Sequence, residues 1–295
     1  MKAGYVALVG RPNAGKSTLL NHLVGQKLSI TSRKPQTTRH RIQGIKTADW
    51  GQAIYVDTPG LHSGEKRAMN RYLNRTADSV LAGVDVIVWV MDRWTWSPED
   101  DPIRAKLAAA GSPVVLAINK VDQCRSKEAL LPFIESASRR FPFAEIVPLS
   151  ALKGINLDRL ERRIVELLPE GDLIYPPEQI TDRPERFFAA EIIREKLIRG
   201  LGQELPHALA VEVEQYQEEG NLTRIHAIIW VEREGQKNIV IGKGGEMLKA
   251  IGQRAREDLE KFLDAKVYLN LWVKVKRGWS DSERALQGLG YGDGG

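Results

Sequence analysis

The run Gly10-Arg11-Pro12-Asn13-Ala14-Gly15-Lys16-Ser17 sets a glycine four residues before Gly-Lys-Ser. That spacing suits phosphate chemistry. Glycine lets the backbone approach closely, successive N–H groups and a helix N-terminus supply a positive field, and the lysine reaches the β- and γ-phosphates. An apolar run, Tyr5 to Val9, precedes it, and a helical pattern from Lys16 to Leu23, including Thr18, follows. This is the strand–loop–helix context that separates a phosphate loop from an ordinary glycine-rich turn. Ser17 then stands where a Mg²⁺ ligand is needed.

The phosphate loop does not choose the base. Asn119-Lys120-Val121-Asp122, after the apolar run Val114 to Ile118, can. A carboxylate at Asp122 accepts from the N1–H and exocyclic amine of guanine, a donor pair adenine lacks. Asn119 can tie loops together and touch the base, and the Lys120 stem can lie across its face. Asp57-Thr58-Pro59-Gly60 ends another strand at the same sheet edge, so Asp57 could hold a water on Mg²⁺ and the Gly60 N–H could reach the γ-phosphate. A Pro-Gly type II turn is how that N–H would be presented. Ser150-Ala151-Leu152 could bring a backbone N–H to guanine O6, although the tripeptide alone says little. Thr38, preferred over Thr37, is placed to close on the metal. Lys16, Thr38 and Gly60 are thus the expected catalytic positions, with Ser17, Thr38 and Asp57 around Mg²⁺. A P-loop ATPase or small-molecule kinase is the enzymatic alternative, which Asp122 disfavours. A pure RNA-binding module with a structural nucleotide is the alternative from another class.

These residues need a sheet whose strand ends meet. Apolar runs at Tyr5–Val9, Ala53–Val56, Val84–Val90, Val114–Ile118 and Ile146–Leu149 alternate with helical patterns, which predicts an α/β domain with a mostly parallel sheet. Asp49-Trp50-Gly51 predicts one antiparallel hairpin within it. The expected division is a nucleotide-binding domain over 1–168, a linker with four prolines over 169–186, an α+β domain over 187–280 and a flexible tail over 281–295.

The second domain reads helix, strand, strand, helix, strand. Ile239-Val240-Ile241 is read as extended chain leading through Gly242-Lys243-Gly244-Gly245 into a long helix. Met247, Ile251, Ala255, Leu259 and Leu263 form its apolar stripe, with Lys249, Gln253 and Arg256 on another face. Gly-x-x-Gly alone is a weak signal, and those charges could equally be a solvated face.

Composition narrows the classes. With 42% hydrophobic and 27% charged residues the chain reads as globular, and no apolar stretch is long enough to span a bilayer. A lone Cys124 and no secretory leader fit a reducing, cytoplasmic setting. Residues 1–171 hold 25 basic against 17 acidic side chains, residues 172–295 hold 18 against 21, and only 237–277 show a local basic excess, 10 against 5. Bulk charge therefore does not mark the second half as nucleic-acid binding, although that local patch could serve phosphate. The five histidines lack ligand spacing for zinc. Trp94 and Trp96 suit either a partner surface or a core cap.

In order and spacing, the first-half motifs resemble those of the translation-factor class of GTPases, with a Ras-like P-loop domain. The segment Ser29 to Arg41 and the attached second domain resemble the Era family of bacterial ribosome-assembly GTPases, over nearly the whole chain. The resemblance implies GTP hydrolysis to GDP and phosphate, and a type II KH domain that grips single-stranded RNA through Ile241, Gly242, Lys243, Gly244, Gly245, Lys249 and Arg256. It further implies the 3′ end of 16S rRNA and the 30S subunit as partners, a monomer, no DNA, a KH face made available on GTP loading, and loose association with the inner membrane surface. Ras-like enzymes place a water-orienting glutamine after the Asp-x-x-Gly motif. Leu61 stands there and has no polar atom, so slow intrinsic turnover is expected. Asn13 matches the asparagine that helps bind K⁺ in related GTPases, and is equally a turn former.

Overall fold

The computed structural model describes residues 1–32, 34, 37–60, 68–124, 127–201, 209–289 and 291, with only the backbone of 127 and 129. The chain divides into two units. The first comprises Met1–Thr31, Thr38–Gly64 and Leu73–Asp182; the second comprises Ser32–Thr37, Glu65–Tyr72 and Arg183–Gly295.

The first unit runs β1 (Lys2–Val9), α1 (Lys16–Val24), β2 (Ile42–Ala48), β3 (Gly51–Asp57), α2 (Ala68–Leu81, its N-terminal part grouped with the second unit), β4 (Val86–Met91), α3 (Asp101–Ala110), β5 (Val114–Ile118), α4 (Leu131–Arg140), β6 (Glu145–Pro148) and α5 (Leu157–Leu167). The strands lie in the order β2-β3-β1-β4-β5-β6. All pairs are parallel except β2–β3, the expected hairpin, which turns through Asp49 and Trp50. Alternation sends Ala7, Val9, Ile87, Trp89, Leu116 and Ile118 to one face, where they pack with Ile103 and Leu107 of α3 and Phe133 of α4. Leu19, Leu20 and Leu23 of α1 and Leu160 and Ile164 of α5 are also buried. Each such side chain contributes about 1.5–3 kcal/mol by leaving water. The consequence for function is that the strands' C-terminal ends, from Val9, Asp57, Met91, Ile118 and Pro148, share one edge.

The proline-rich stretch after α5 is packed, not free. Ala3 N–H donates to Pro169 O (3.1 Å), Gly171 N–H to Met1 O (3.0 Å) and Ile45 N–H to Ile180 O (2.8 Å). Buried Gln52 accepts from the N–H groups of Ile174 and Tyr175 and donates to Tyr175 O, each at 2.9 Å. Its proline content suggests a spacer, but these bonds cover part of edge strand β2, which would otherwise offer unpaired backbone groups.

The second unit carries α6 (Glu185–Gly200), β7 (Ala210–Glu219), β8 (Leu222–Val231), α7 (Glu234–Ile241), α8 (Glu246–Leu263), β9 (Lys266–Val275) and α9 (Glu283–Gly288). Its sheet, β7-β8-β9, pairs β7–β8 antiparallel and β8–β9 parallel, so α7 and α8 form the crossover. Ile193 and Leu197 of α6, Ile251, Ala255 and Leu259 of α8, and Ile225, Ala227, Ile229 and Val231 of β8 build the core. Within this unit Arg194 is buried, pairs with Glu191 (2.6 Å) and donates to Thr37 O (2.5 Å).

Two expectations are corrected here. Residues 239–241 end helix α7 and are not extended. Three consecutive apolar residues fit either geometry, and the deciding signal is Gln236, whose side chain accepts the N–H groups of Glu232 (2.8 Å) and Arg233 (3.0 Å) at the helix start. The tail is also structured through residues 281–289 and at 291. Trp279 is fully buried and stacks on Tyr291 at 6.3 Å, Ser280 Oγ donates to Glu232 (2.7 Å), and Ser282 caps α9 by accepting from Ala285 N–H (3.3 Å).

Candidate nucleotide site and nucleic-acid interface

The nucleotide cradle lies within the first unit. Gly10 and Gly15 have φ of 148° and 102°, in the range that disfavours side chains. A Cβ on Gly10 would overlap Val90 O, and one on Gly15 would overlap Asn119 Nδ2. Helix α1 starts at left-handed Gly15 with no side-chain cap, so its first-turn N–H groups are available to an anion. Lys16 is 5% exposed, and its Nζ donates to Gly10 O (3.1 Å) and Arg11 O (2.9 Å). Burial pulls its ammonium down to about 8, with Asp57 and Asp92 working the other way.

Asp57 closes the far side. Its Oδ2 accepts from Ser17 Oγ at 2.6 Å, Ser29 Oγ at 2.8 Å and Thr38 Oγ1 at 3.4 Å, and Ser17 Oγ and Thr38 Oγ1 are 2.8 Å apart. Burial raises the Asp57 carboxyl above its ordinary range, while Lys16 and these hydroxyls pull it back. Its other oxygen, Oδ1, is buried without a hydrogen-bond partner among the described residues. One orphaned carboxylate oxygen beside two hydroxyls is a hard-oxygen donor set that fits Mg²⁺, which fills its remaining positions with phosphate and water. Thr38 rather than Thr37 reaches this cluster. Thr37 Oγ1 instead donates to Lys34 O (2.7 Å). Thr58 Oγ1 donates to Leu8 O (2.9 Å), and a Cβ on Gly60 would come within 2.6 Å of Pro12 N, so the segment Asp57–Gly60 lies against the phosphate loop. Leu61 lies outside the described residues.

At the base end, Asn119 acts as the expected tie. Its Nδ2 donates to Ala14 O (2.8 Å), and its Oδ1 accepts from the N–H groups of Lys120 (2.8 Å) and Ala151 (2.9 Å). One buried amide thus joins the loops at residues 14, 119 and 151. Lys120, at φ 65°, donates from Nζ to Asn13 O (2.8 Å) and to Asp92 (2.6 Å). Exposed Asp122 accepts from Ser150 Oγ at 2.5 Å, and Val121 N–H donates to Leu149 O at 3.2 Å. Leu152 is 66% exposed beside them. Asn13 is exposed and left-handed (φ 63°).

Several participants escape sequence reasoning. The Arg11 guanidinium pairs with Glu99 (2.8 Å) and Asp100 (2.7 Å) and donates to Ser97, so its side chain braces the loop. Ser29 opens the segment Ser29 to Arg41 but had no role assigned to it, and Asp92 belongs to no recognised motif. Asp92 could have been found, since it directly follows a strand that ends at the ligand edge. Trp96 packs edge-on to Trp89 at 5.3 Å with Arg140 over its ring, and Trp94 joins the same core, which decides for the core cap.

In the second unit, Gly242, Gly244 and Gly245 all have positive φ (74°, 60°, 84°), and α8 begins at Gly245 with no side-chain cap. Lys243 and Lys249 are exposed. Arg256 is exposed but bonded to Glu260 at 3.1 Å. Ile241 is partly buried against the core, whereas Ile239 is 53% exposed and Met247 36% exposed. A Cβ on Gly242 would come within 2.6 Å of Met247 Cβ, which explains that glycine by packing.

Known proteins agree with this geometry. The family model of a 50S ribosome-binding GTPase matches residues 5–120, and that of a KH domain matches 204–280. GTPase Era of Pseudomonas aeruginosa strain LESB58 is 56% identical over 99% of this chain and 96% of its own, and GTPase Era of Marinobacter nauticus is 57% identical over the same shares. A variant of Aquifex aeolicus Era bound to GDP·AlF4⁻ superposes with a TM-score of 0.96 at 41% identity, covering 99% of both chains. Era in complex with MgGDPNP and nucleotides 1506–1542 of 16S ribosomal RNA gives 0.95 at 41%, with the same coverage. With both family models matched on one chain, and this identity over its full length, the protein belongs to the Era family of GTPases.

Proposed function

We propose that this chain is a GTP-hydrolysing switch that grips the 3′ end of 16S rRNA through its KH domain and assists maturation of the 30S subunit. The observation that carries the switch is the single buried amide of Asn119, which locks the loop beneath the phosphates to the loops that frame the base.

Each residue's part follows from its place. The N–H groups of the loop and of α1 hold the phosphates, and Lys16, a cation buried among carbonyl oxygens, trades those contacts for β- and γ-phosphate oxygens. Ser17, Thr38 and Asp57 hold Mg²⁺, directly or through water, and when bound the ion neutralises charge that develops as the γ-phosphoryl group leaves. The Gly60 N–H, next to Pro12, adds a donor at the γ-position. No described side chain is placed as a general base, so turnover is slow without help from K⁺ near Asn13 or from a partner. Loading with GTP reorganises the segments around Thr38 and Gly60 and makes the RNA face available. The RNA backbone is clamped by Gly242–Gly245 at the start of α8, with Lys243 and Lys249 on phosphate. The setting is the cytoplasm, and any membrane association is peripheral; no helix among the described residues is long and apolar enough to cross a bilayer.

Two variants test the two halves. Asp122→Asn should abandon guanosine for xanthosine nucleotides, and unchanged GTP affinity would sink the base assignment. Gly244→Asp should remove RNA binding in a filter assay while GTP affinity persists. Comparing phosphate release in K⁺ and Na⁺ tests the role of Asn13.

A further inference from the structure

The outer face of the KH sheet, opposite the core that α6 and α8 complete, has no role in the function above. Strand alternation places Arg224, Ile228 and Trp230 of β8 in register with Tyr268, Trp272 and Lys274 of β9 on that face, while Ile225, Ala227, Ile229 and Val231 feed the core. Tyr268 is 47% exposed and Trp272 57% exposed, although most large aromatic side chains of this protein are buried or half-buried. Cations already sit over the rings: Arg224 lies 5.6 Å from the Tyr268 centroid, and Lys274 and Lys276 lie 5.9 and 5.6 Å from that of Trp230. Acidic partners come from the β7 side, with Glu219 on Arg224 (2.8 Å), Glu214 on Lys274 (3.6 Å) and Glu212 accepting from Trp230 Nε1 (2.8 Å). The β9 flank, with Lys266, Lys274 and Lys276, is basic.

We propose that this face is a second RNA-binding surface, on which unpaired bases stack on Tyr268 and Trp272 while basic side chains of the β9 flank hold the phosphates. The inference rests on reading the chain as an RNA binder and extends it beyond the Gly-x-x-Gly loop, whose clamp spans about four nucleotides. The platforms are four residues apart along β9, about 13 Å at 3.3 Å per residue. Exposed rings next to cations suit bases joined by phosphates. A protein partner would instead bury these charges at the centre of its footprint, where interfaces are depleted of them. Ile228, at the middle of the face, is only 1% exposed, so its own side chain is not open to a protein anchor.

The test uses the full chain loaded with GDPNP and two fluorescent probes, an RNA of 16S nucleotides 1506–1542 and a five-nucleotide piece of its single-stranded part. The double variant Tyr268→Ala/Trp272→Ala should bind the long RNA at least about tenfold more weakly and the short one unchanged. Trp272→Phe should retain binding, and Lys274→Gln should lower the salt dependence for the long RNA alone. Equal binding of the long RNA by the double variant and the wild type overturns the inference and leaves the KH assignment standing. Failure of the wild type to bind either probe removes the RNA reading itself. Normal RNA affinity with lost 30S binding would make the face a protein-docking site, which also overturns it. GTP affinity and the melting temperature confirm that each variant is folded.

Discussion

The phosphate loop at Gly10–Ser17 and the loop at Gly242–Gly245 each place a left-handed glycine, Gly15 and Gly245, directly before a helix with no side-chain cap. Both therefore offer backbone N–H groups and the positive helix end to an anion. They differ in what demands the glycines. In the first loop the fold itself does, because a Cβ at Gly10 would strike backbone and one at Gly15 would strike the Asn119 tie. In the second, packing against Met247 demands only Gly242, while a Cβ at Gly244 or Gly245 would meet nothing within 4 Å, so only their positive φ and the approach of a ligand call for glycine there. A loop built to enclose one triphosphate is packed from behind. A loop built to clamp a passing polymer is left open.

The largest expected effect separates the two directly. Gly10→Ala should cost roughly 3 kcal/mol or more in urea unfolding, because strand β4 cannot yield around the new methyl group. A cost below that of Gly244→Ala would reverse the contrast.

Next in size is a pH effect confined to the enclosed loop. In the folded chain Lys16 sits at about 8, below its ordinary 10.5. Between those values the unfolded chain binds more protons, so the unfolding free energy of the nucleotide-free protein gains a contribution that rises with pH from 8 to 10.5. Below pH 8 both states hold the proton and the burial cost is present in full. Lys16→Met should flatten the rise in melts at about pH 8, 9 and 10. An identical slope in the variant would remove the claim.

Gly244→Ala should cost only ~1–2 kcal/mol, the left-handed penalty, and should weaken RNA binding through the crowding of its backbone. Smallest is Lys243→Ala, which should weaken RNA binding severalfold and reduce its salt slope by about one, read from titrations at several KCl concentrations. An unchanged slope would show that Lys243 is only a solvated charge.

Much of the cradle was legible because its chemistry is local. Gly-x-x-x-x-Gly-Lys-Ser, Asn-Lys-x-Asp and Asp-x-x-Gly each pack their function into a few adjacent residues, and each follows an apolar strand that shows where it sits. The Ser29 contact and the Arg11 brace were not legible, because their partners lie 28 to 89 residues away in sequence and form no local pattern. Asp92 was marked only by its place directly after a strand at the ligand edge. Ile239-Val240-Ile241 misled for a different reason: three apolar residues in a row fit a strand or a buried helix end, and a glutamine cap decided between them.

By itself the sequence determined which chemistry this protein carries, since the donors and acceptors for guanine and triphosphate are intrinsic to residue type and short spacing. Only the tertiary structure decided which hydroxyl meets Asp57, that the proline-rich stretch covers part of a sheet edge, and that the tail folds around Trp279. Those outcomes turn on burial, and burial is set by contacts between residues far apart in the chain.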